Sequence, residues 1–115
     1  MPEHPAQSIE VLDASGGRCR LSGALTFATA RRTRELGIPL LEQARSTALL
    51  VDCEAVTAAD SAGLAVLVDW LAIGARYGCR VSFFNLPATL KALAHISEVE
   101  SFLNQGVMIS ATPHA

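Results

Sequence analysis

Two short apolar or alternating runs, residues 9–12 and 19–21, flank the stretch Ala14-Ser15-Gly16-Gly17. Strand-length runs around such a turn predict a β-hairpin at the start of the fold. From Thr26 the period lengthens, and Phe27, Ala30, Leu36, Leu40, Leu41 and Ala44 share a helical spacing with Gly37 and Pro39 inside it. One interrupted helix is expected there. Residues 47–53, TALLVDC, form a continuous apolar run of strand length, the pattern of a central strand covered on both faces. A loop ending at Asp60 leads into the strongest helical pattern, residues 61–77, which Gly78 stops. Residues 80–84 return to strand. Pro87 stands where a helix can begin, with Leu90, Leu93 and Ala94 following at helical spacing. A short helical piece at 99–103 and an edge strand at 107–109 complete the pattern. The order β-β-α-β-α-β-α implies an α/β fold, a mixed sheet with helices packed on it, because parallel neighbours require crossover connections.

The helix at 61–77 carries two apolar stripes. At about 100° of rotation per residue, Leu64, Leu67, Val68, Leu71 and Ala75 gather on one side and suit the sheet. Val66, Trp70, Ile73 and Tyr77 gather on a second, nearly opposite side. That second stripe either packs on a neighbouring helix or forms a protein interface, since exposed patches with Trp and Tyr make binding hot spots. The interface reading expects the stripe to be partly exposed in the isolated chain.

The chain has 115 residues, room for one core. One domain over residues 8–110 is expected, between flexible ends at 1–7 and 111–115, which are rich in Pro, Ala and His without periodicity. Half the residues are apolar and 17% are charged, with a net charge of −2. That balance favours a packed domain and lacks the basic excess that nucleic acid demands. The longest apolar stretch, 62–75, is interrupted by Asp69 and falls short of the roughly 20 residues a bilayer span requires. The opening residues carry no secretory pattern, so a cytoplasmic location is expected. Cys19, Cys53 and Cys79 are odd in number and widely spaced, as expected of reduced, buried thiols.

Catalytic constellations are missing. Lys91 is the one lysine, so no phosphate-binding GxxxxGK[ST] loop exists, and no glycines form GxGxxG. His95 has no carboxylate, thiol or second imidazole at metal-ligand spacing. Asp52 and Asp60 could be paired acids, but a strand end and a helix start are places where Asp satisfies backbone donors. No enzyme activity, cofactor or metal is expected. Arg31, Arg32 and Arg34 form the one charge cluster, either a solvated face beside Glu35 and Glu42 or a contact for an acidic partner surface or lipid headgroups.

The segment from Val51 to Leu64, V-D-C-E-A-V-T-A-A-D-S-A-G-L, joins the central strand to the main helix. Asp60 or Ser61 suits the N-cap, where a short side-chain oxygen accepts the free N–H groups of the first turn. A cap is the first reading of these residues, and the position would also suit phosphorylation of Ser61, because a dianion at a helix N-terminus meets free donors and the positive end of the dipole.

With D-x-x-x-V-x-x-x-D-S-x-G-L starting at Asp52, this segment resembles the signature of STAS domains, the fold of bacterial anti-sigma factor antagonists and of sulfate-transporter tails. The likeness runs in order over roughly residues 8–105, through L-S-G-A-L-T from Leu21, the D-S-A-G-L helix, and N-L-P from Asn85 followed by L-K-A-L-A. L-S-G-A-L-T-F-A-T together with A-D-S-A-G-L-A-V-L-V-D-W-L is most similar to the MlaB branch, the small cytoplasmic STAS subunits of a phospholipid ABC transporter that maintains outer-membrane lipid asymmetry. The resemblance implies that Ser61 occupies the switch position, phosphorylated in sigma-regulating members and placed against the ATPase in transporter subunits. Cys53 departs from the leucine common after the strand's aspartate, while keeping a small apolar character.

The expected function is therefore a non-enzymatic subunit that binds and regulates an ABC transporter ATPase from the cytoplasmic side of the inner membrane. The alternative is an anti-sigma factor antagonist whose partner is a serine kinase and whose switch is phosphorylation of Ser61. The candidate partner-binding and regulatory residues are Thr57, Asp60, Ser61, Ala62, Gly63, Val66, Trp70, Ile73 and Tyr77.

Overall fold

β1 (Ser8–Asp13) and β2 (Arg18–Leu25) form the expected antiparallel hairpin, with Ile9 opposite Leu21 and Val11 opposite Cys19. The computed structural model describes residues 8–13 and 17–105. The ends at 1–7 and 111–115, the hairpin turn at 14–16 and the edge strand expected at 107–109 lie outside the described residues. α1 (Ala30–Gln43) leads to β3 (Ala48–Ala59), which pairs parallel to β2. α2 (Ser61–Arg76) leads in the same way to β4 (Arg80–Phe84), parallel to β3. α3 (Ala88–Ile96), with Pro87 as its N-cap, and α4 (Glu100–Gln105) follow. The sheet is mixed, in the order β1-β2-β3-β4, as the alternation of elements predicts.

One hydrophobic core lies between this sheet and the helices. Cys19, Leu21 and Leu25 of β2, Leu49, Val51 and Cys53 of β3, and Val81 and Phe83 of β4 are buried in it. Leu41 of α1, Leu64, Leu67 and Leu71 of α2, Leu90 and Ala94 of α3 and Leu103 of α4 complete it. Burial pushes the Cys53 thiol up to about 12 and the Cys19 thiol to about 11. Both are protonated and unreactive at neutral pH.

β3 departs from expectation twice. Its apolar run suggests cover on both faces, yet Leu50 is 36% exposed while its neighbours Leu49 and Val51 are buried. The sheet is half-open: Arg18, Leu50 and Ser82 share one row on the uncovered face, and the Arg18 guanidinium sits 5.8 Å from the Phe84 ring centroid. A short run without polar residues cannot distinguish cover on one face from cover on both. β3 also continues through residues 54–59, where a loop was expected, because Ala24 and Leu25 of β2 pair with Ala58 and Ala59.

α1 runs through Pro39 without a break. The proline removes only the bond to the carbonyl of Glu35, and both residues face solvent, so water replaces what the helix loses. Phe27, read from its spacing as part of the helix's apolar face, lies before α1 and is 83% exposed.

The second stripe of α2 is covered rather than exposed. Val66, Trp70 and Ile73 are 4%, 2% and 8% exposed. α1 lies alongside α2, and its buried residues Thr33, Gly37 and Leu41, spaced by four, supply a shallow groove. A Cβ on Gly37 would lie 2.7 Å from Trp70 Nε1, and closer still to the six-membered ring. Trp70 donates Nε1–H to the Arg34 carbonyl at 3.2 Å and stacks on Phe83 with centroids 6.3 Å apart. Tyr77 is half-buried and donates its hydroxyl to Glu42 at 3.0 Å. The expectation of a partly exposed stripe is thus corrected: α1 takes the place assigned to a partner.

Candidate partner-binding site

The C-terminal ends of β2 and β3 and the N-termini of α1 and α2 meet at one end of the molecule. The two helices are aligned in parallel, since Phe27 meets Asp60 at their start, Arg34 meets Asp69 midway, and Glu42 meets Tyr77 at their far ends. Their positive dipole ends therefore point the same way.

Asp60 holds this end together. Its backbone is extended (φ −140°, ψ −171°), as an N-cap requires, and its Oδ1 accepts the Gly63 N–H at 3.0 Å. Oδ2 accepts the Phe27 N–H at 3.0 Å, clamping the turn between β2 and α1. The Phe27 N–H, with those of Gly63 and Ala62, holds the Asp60 carboxyl below its ordinary value against the opposing effect of burial. Thr29 braces the same turn by donating its hydroxyl to the Ala24 carbonyl at 2.8 Å and accepting the Thr26 N–H at 3.0 Å. Gly63 is buried against β2, where any Cβ would collide with the Leu25 backbone. Within D-S-A-G, then, Asp60 and Gly63 hold structure.

The serine between them has no such duty. Ser61 is exposed at the first position of α2, and its hydroxyl makes no hydrogen bond among the described residues. Ala62 is half-buried, and Thr57 is exposed near the end of β3. The structure gathers Asp60, Ser61, Ala62 and Gly63 at one helix end and sets Val66, Trp70 and Ile73 apart inside the core. Phe27 is the residue that spacing missed. Its signal lay in L-T-F-A-T, where polar and small neighbours give an aromatic ring nothing to pack on.

Asp52, the other acid weighed as catalytic, is buried at 8% exposure. Its Oδ1 accepts the Glu54 N–H at 2.9 Å and the Asn85 side-chain amide at 3.1 Å. The Glu54 bond, helped by Asn85, Arg20 and Arg18, keeps the carboxyl below its ordinary value. It ties β3 to the turn after β4. Among the described residues no three His, Cys, Asp or Glu side chains could together hold a metal ion, and no helix is long and apolar enough to cross a membrane.

Replacing Asp60 tests the clamp. Asp60→Asn keeps an acceptor for Gly63 but cannot satisfy both N–H groups equally well, and should cost about 1 kcal/mol at neutral pH. A carboxyl whose value is lowered by folding stabilises fully above its unfolded value, about 3.9, and loses that effect as pH falls through the folded value. The stability gap between native chain and variant should therefore be constant above about pH 5 and narrow as pH falls below the unfolded value and through the lowered folded one. Urea unfolding across this range checks it, and a gap that widens in acid would refute the clamp.

The model of the family described as "Mlab, STAS domain" matches residues 10–107. No curated protein matches the chain significantly. Solved structures share the fold at low identity. A Thermotoga maritima protein described as an anti-sigma factor antagonist superposes with a TM-score of 0.67 at 13% identity, over 85% of this chain and 83% of its own. The anti-sigma factor antagonist SpoIIAA, in its unphosphorylated form, gives 0.65 at 15% identity over 84% of each chain. The murine anion transporter Solute Carrier 26 family member A9, in its inward-facing state, gives 0.54 at 18% identity, over 87% of this chain and 19% of the transporter.

Proposed function

The chain belongs to the MlaB-type STAS domain family, and on that premise we propose that it is a non-enzymatic subunit that binds and regulates the ATPase of a phospholipid-transporting ABC complex. In that role it works in the cytoplasm, held at the inner membrane through the complex, and serves outer-membrane lipid asymmetry. The observation that carries this reading is the free hydroxyl of Ser61. Asp60 supplies the cap and Gly63 the close contact with β2, so a serine kept exposed between them is available to a partner. Asp60 takes the N–H groups of Ala62 and Gly63, and Leu25 takes that of Asp60, so the hydroxyl and the positive end of the helix dipole are what this end offers a partner's acceptor.

The test is to recover the native tagged chain from its own cells with its bound proteins. Recovery of an ABC ATPase is expected, and recovery of a serine kinase without one would overturn the reading. Ser61→Glu should weaken ATPase binding by about tenfold or more, equivalent to about 1.4 kcal/mol. Its melting temperature should barely move, because an acid in the first turn suits the dipole. Ser61→Thr should bind as the native chain does. Parallel losses of stability and binding in Ser61→Glu would reduce the serine to a structural residue.

A second reading is supported by the same exposed hydroxyl. Placed at a helix N-terminus, it is open to a kinase, and the fold is shared with proteins described as anti-sigma factor antagonists. An antagonist would acquire phosphate on Ser61 when ATP is added to the recovered assembly and would then change partners.

A further inference from the structure

Phe27 is the most exposed large apolar residue of the described chain, at 83%. Scattered surface hydrophobics need no explanation, but this one is held differently from the others. Its N–H is fixed by Asp60 Oδ2 at 3.0 Å, and Thr29 ties the turn at Ala24 and Thr26. With the backbone of the turn already held, binding needs to order only the two side-chain torsions of the ring, the low entropic cost that makes aromatics good anchors.

The surroundings of Phe27 define what it would meet. Arg31 and Arg32 are exposed in the first turn of α1, where no acidic residue stands. Cations there oppose the helix dipole and cost the helix stability. Arg34 is satisfied by Asp69 at 3.2 Å, whereas Arg31 and Arg32 have no ion-pair partner among the described residues. An exposed aromatic side chain on a fixed stretch of backbone, followed within the next turn of chain by two exposed guanidinium groups, is complementary to an apolar pocket with a carboxylate rim.

We propose that Phe27 is the anchor of the partner interface, inserted into an apolar pocket of the ATPase whose rim of Asp or Glu side chains receives Arg31 and Arg32. This rests on the function proposed above and adds the chemistry of the contact. Two arginines and one ring make a weak membrane anchor, since stable surface binding takes a longer apolar face or a polybasic run. A protein pocket can enclose the ring and bring carboxylates to both guanidinium groups.

The experiment measures binding of the full chain to the purified ATPase subunit. Phe27→Ala should weaken binding by about 30-fold, the loss typical of an aromatic hot spot. Its melting temperature should be unchanged, because the bond from residue 27 to Asp60 uses the main chain. The double variant Arg31→Glu, Arg32→Glu should bind more weakly, and its binding should strengthen as salt screens the repulsion from the carboxylate rim. Native and Phe27→Ala chains should keep the same proportional weakening as salt rises from about 0.05 M to about 0.3 M. Unchanged binding by Phe27→Ala overturns the anchor while leaving the proposed function intact. Failure of the native chain to bind any ABC ATPase overturns both. Flotation of the native chain with phosphatidylglycerol vesicles, abolished in Phe27→Ala, would assign this patch to the membrane and overturn the pocket.

Discussion

Trp70→Ala is expected to lower folding stability by about 3–5 kcal/mol, the range for removing a large aromatic side chain from a core. Three losses combine. The ring leaves a void between Gly37 of α1 and Phe83 of β4, the stacking at 6.3 Å disappears, and the Arg34 carbonyl loses the indole N–H. Small domains are stable by about 5–15 kcal/mol in total, so the variant should be marginal at 37 °C and bind poorly only because it unfolds. Urea titration followed by far-ultraviolet circular dichroism measures this without relying on the chain's single tryptophan. A drop below about 1 kcal/mol, with binding lost from a folded variant, would return Trp70 to the surface and contradict the packing of α1 on α2. Trp70→Phe should recover part of the loss, since a ring still fills the groove without the hydrogen bond.

Gly63→Ala should cost about 3 kcal/mol, the upper part of the range for forcing extra volume into a packed site. Helix propensity predicts the opposite sign, because alanine is favoured over glycine by about 1 kcal/mol in a helix interior. The collision decides. The added Cβ would stand 2.8 Å from both the carbonyl carbon and Cγ of Leu25, and closer still to the carbonyl oxygen, which also accepts the Asp60 N–H at 3.3 Å. A backbone atom cannot swing aside as a side chain does, so α2 must tilt away from β2. Asp60 would then separate from Phe27, and the variant should lose both thermal stability and protection of the Phe27 amide from hydrogen exchange. A melting temperature equal to or above that of the native chain would show that the helix and strand can part without cost.

The exposed turn and the half-buried cap that clamps it were unequally legible. Asp60 as a cap follows from its position before an apolar helical pattern, which is local information. Its second bond, to Phe27 thirty-three residues earlier in the chain, depends on β2 and β3 pairing in register so that both strands end side by side. No periodicity contains that. The free state of Ser61 follows only once Asp60 is known to take the cap.

The sequence by itself determined the hairpin, the alternation of strands and helices, the start of α3 after Pro87 and the inward stripe of α2, because turn chemistry and apolar period act over a few residues. It also showed that α2 has a second apolar side, without showing what covers it. The tertiary structure decided that: Thr33, Gly37 and Leu41 of α1 form the groove that receives Trp70, although Gly37 and Pro39 read locally as an interruption. Exposure of Leu50 on the open sheet face and of Phe27 at the clamped turn was settled in the same way. Apolar character is a property of a residue, whereas burial depends on which distant surface is brought against it.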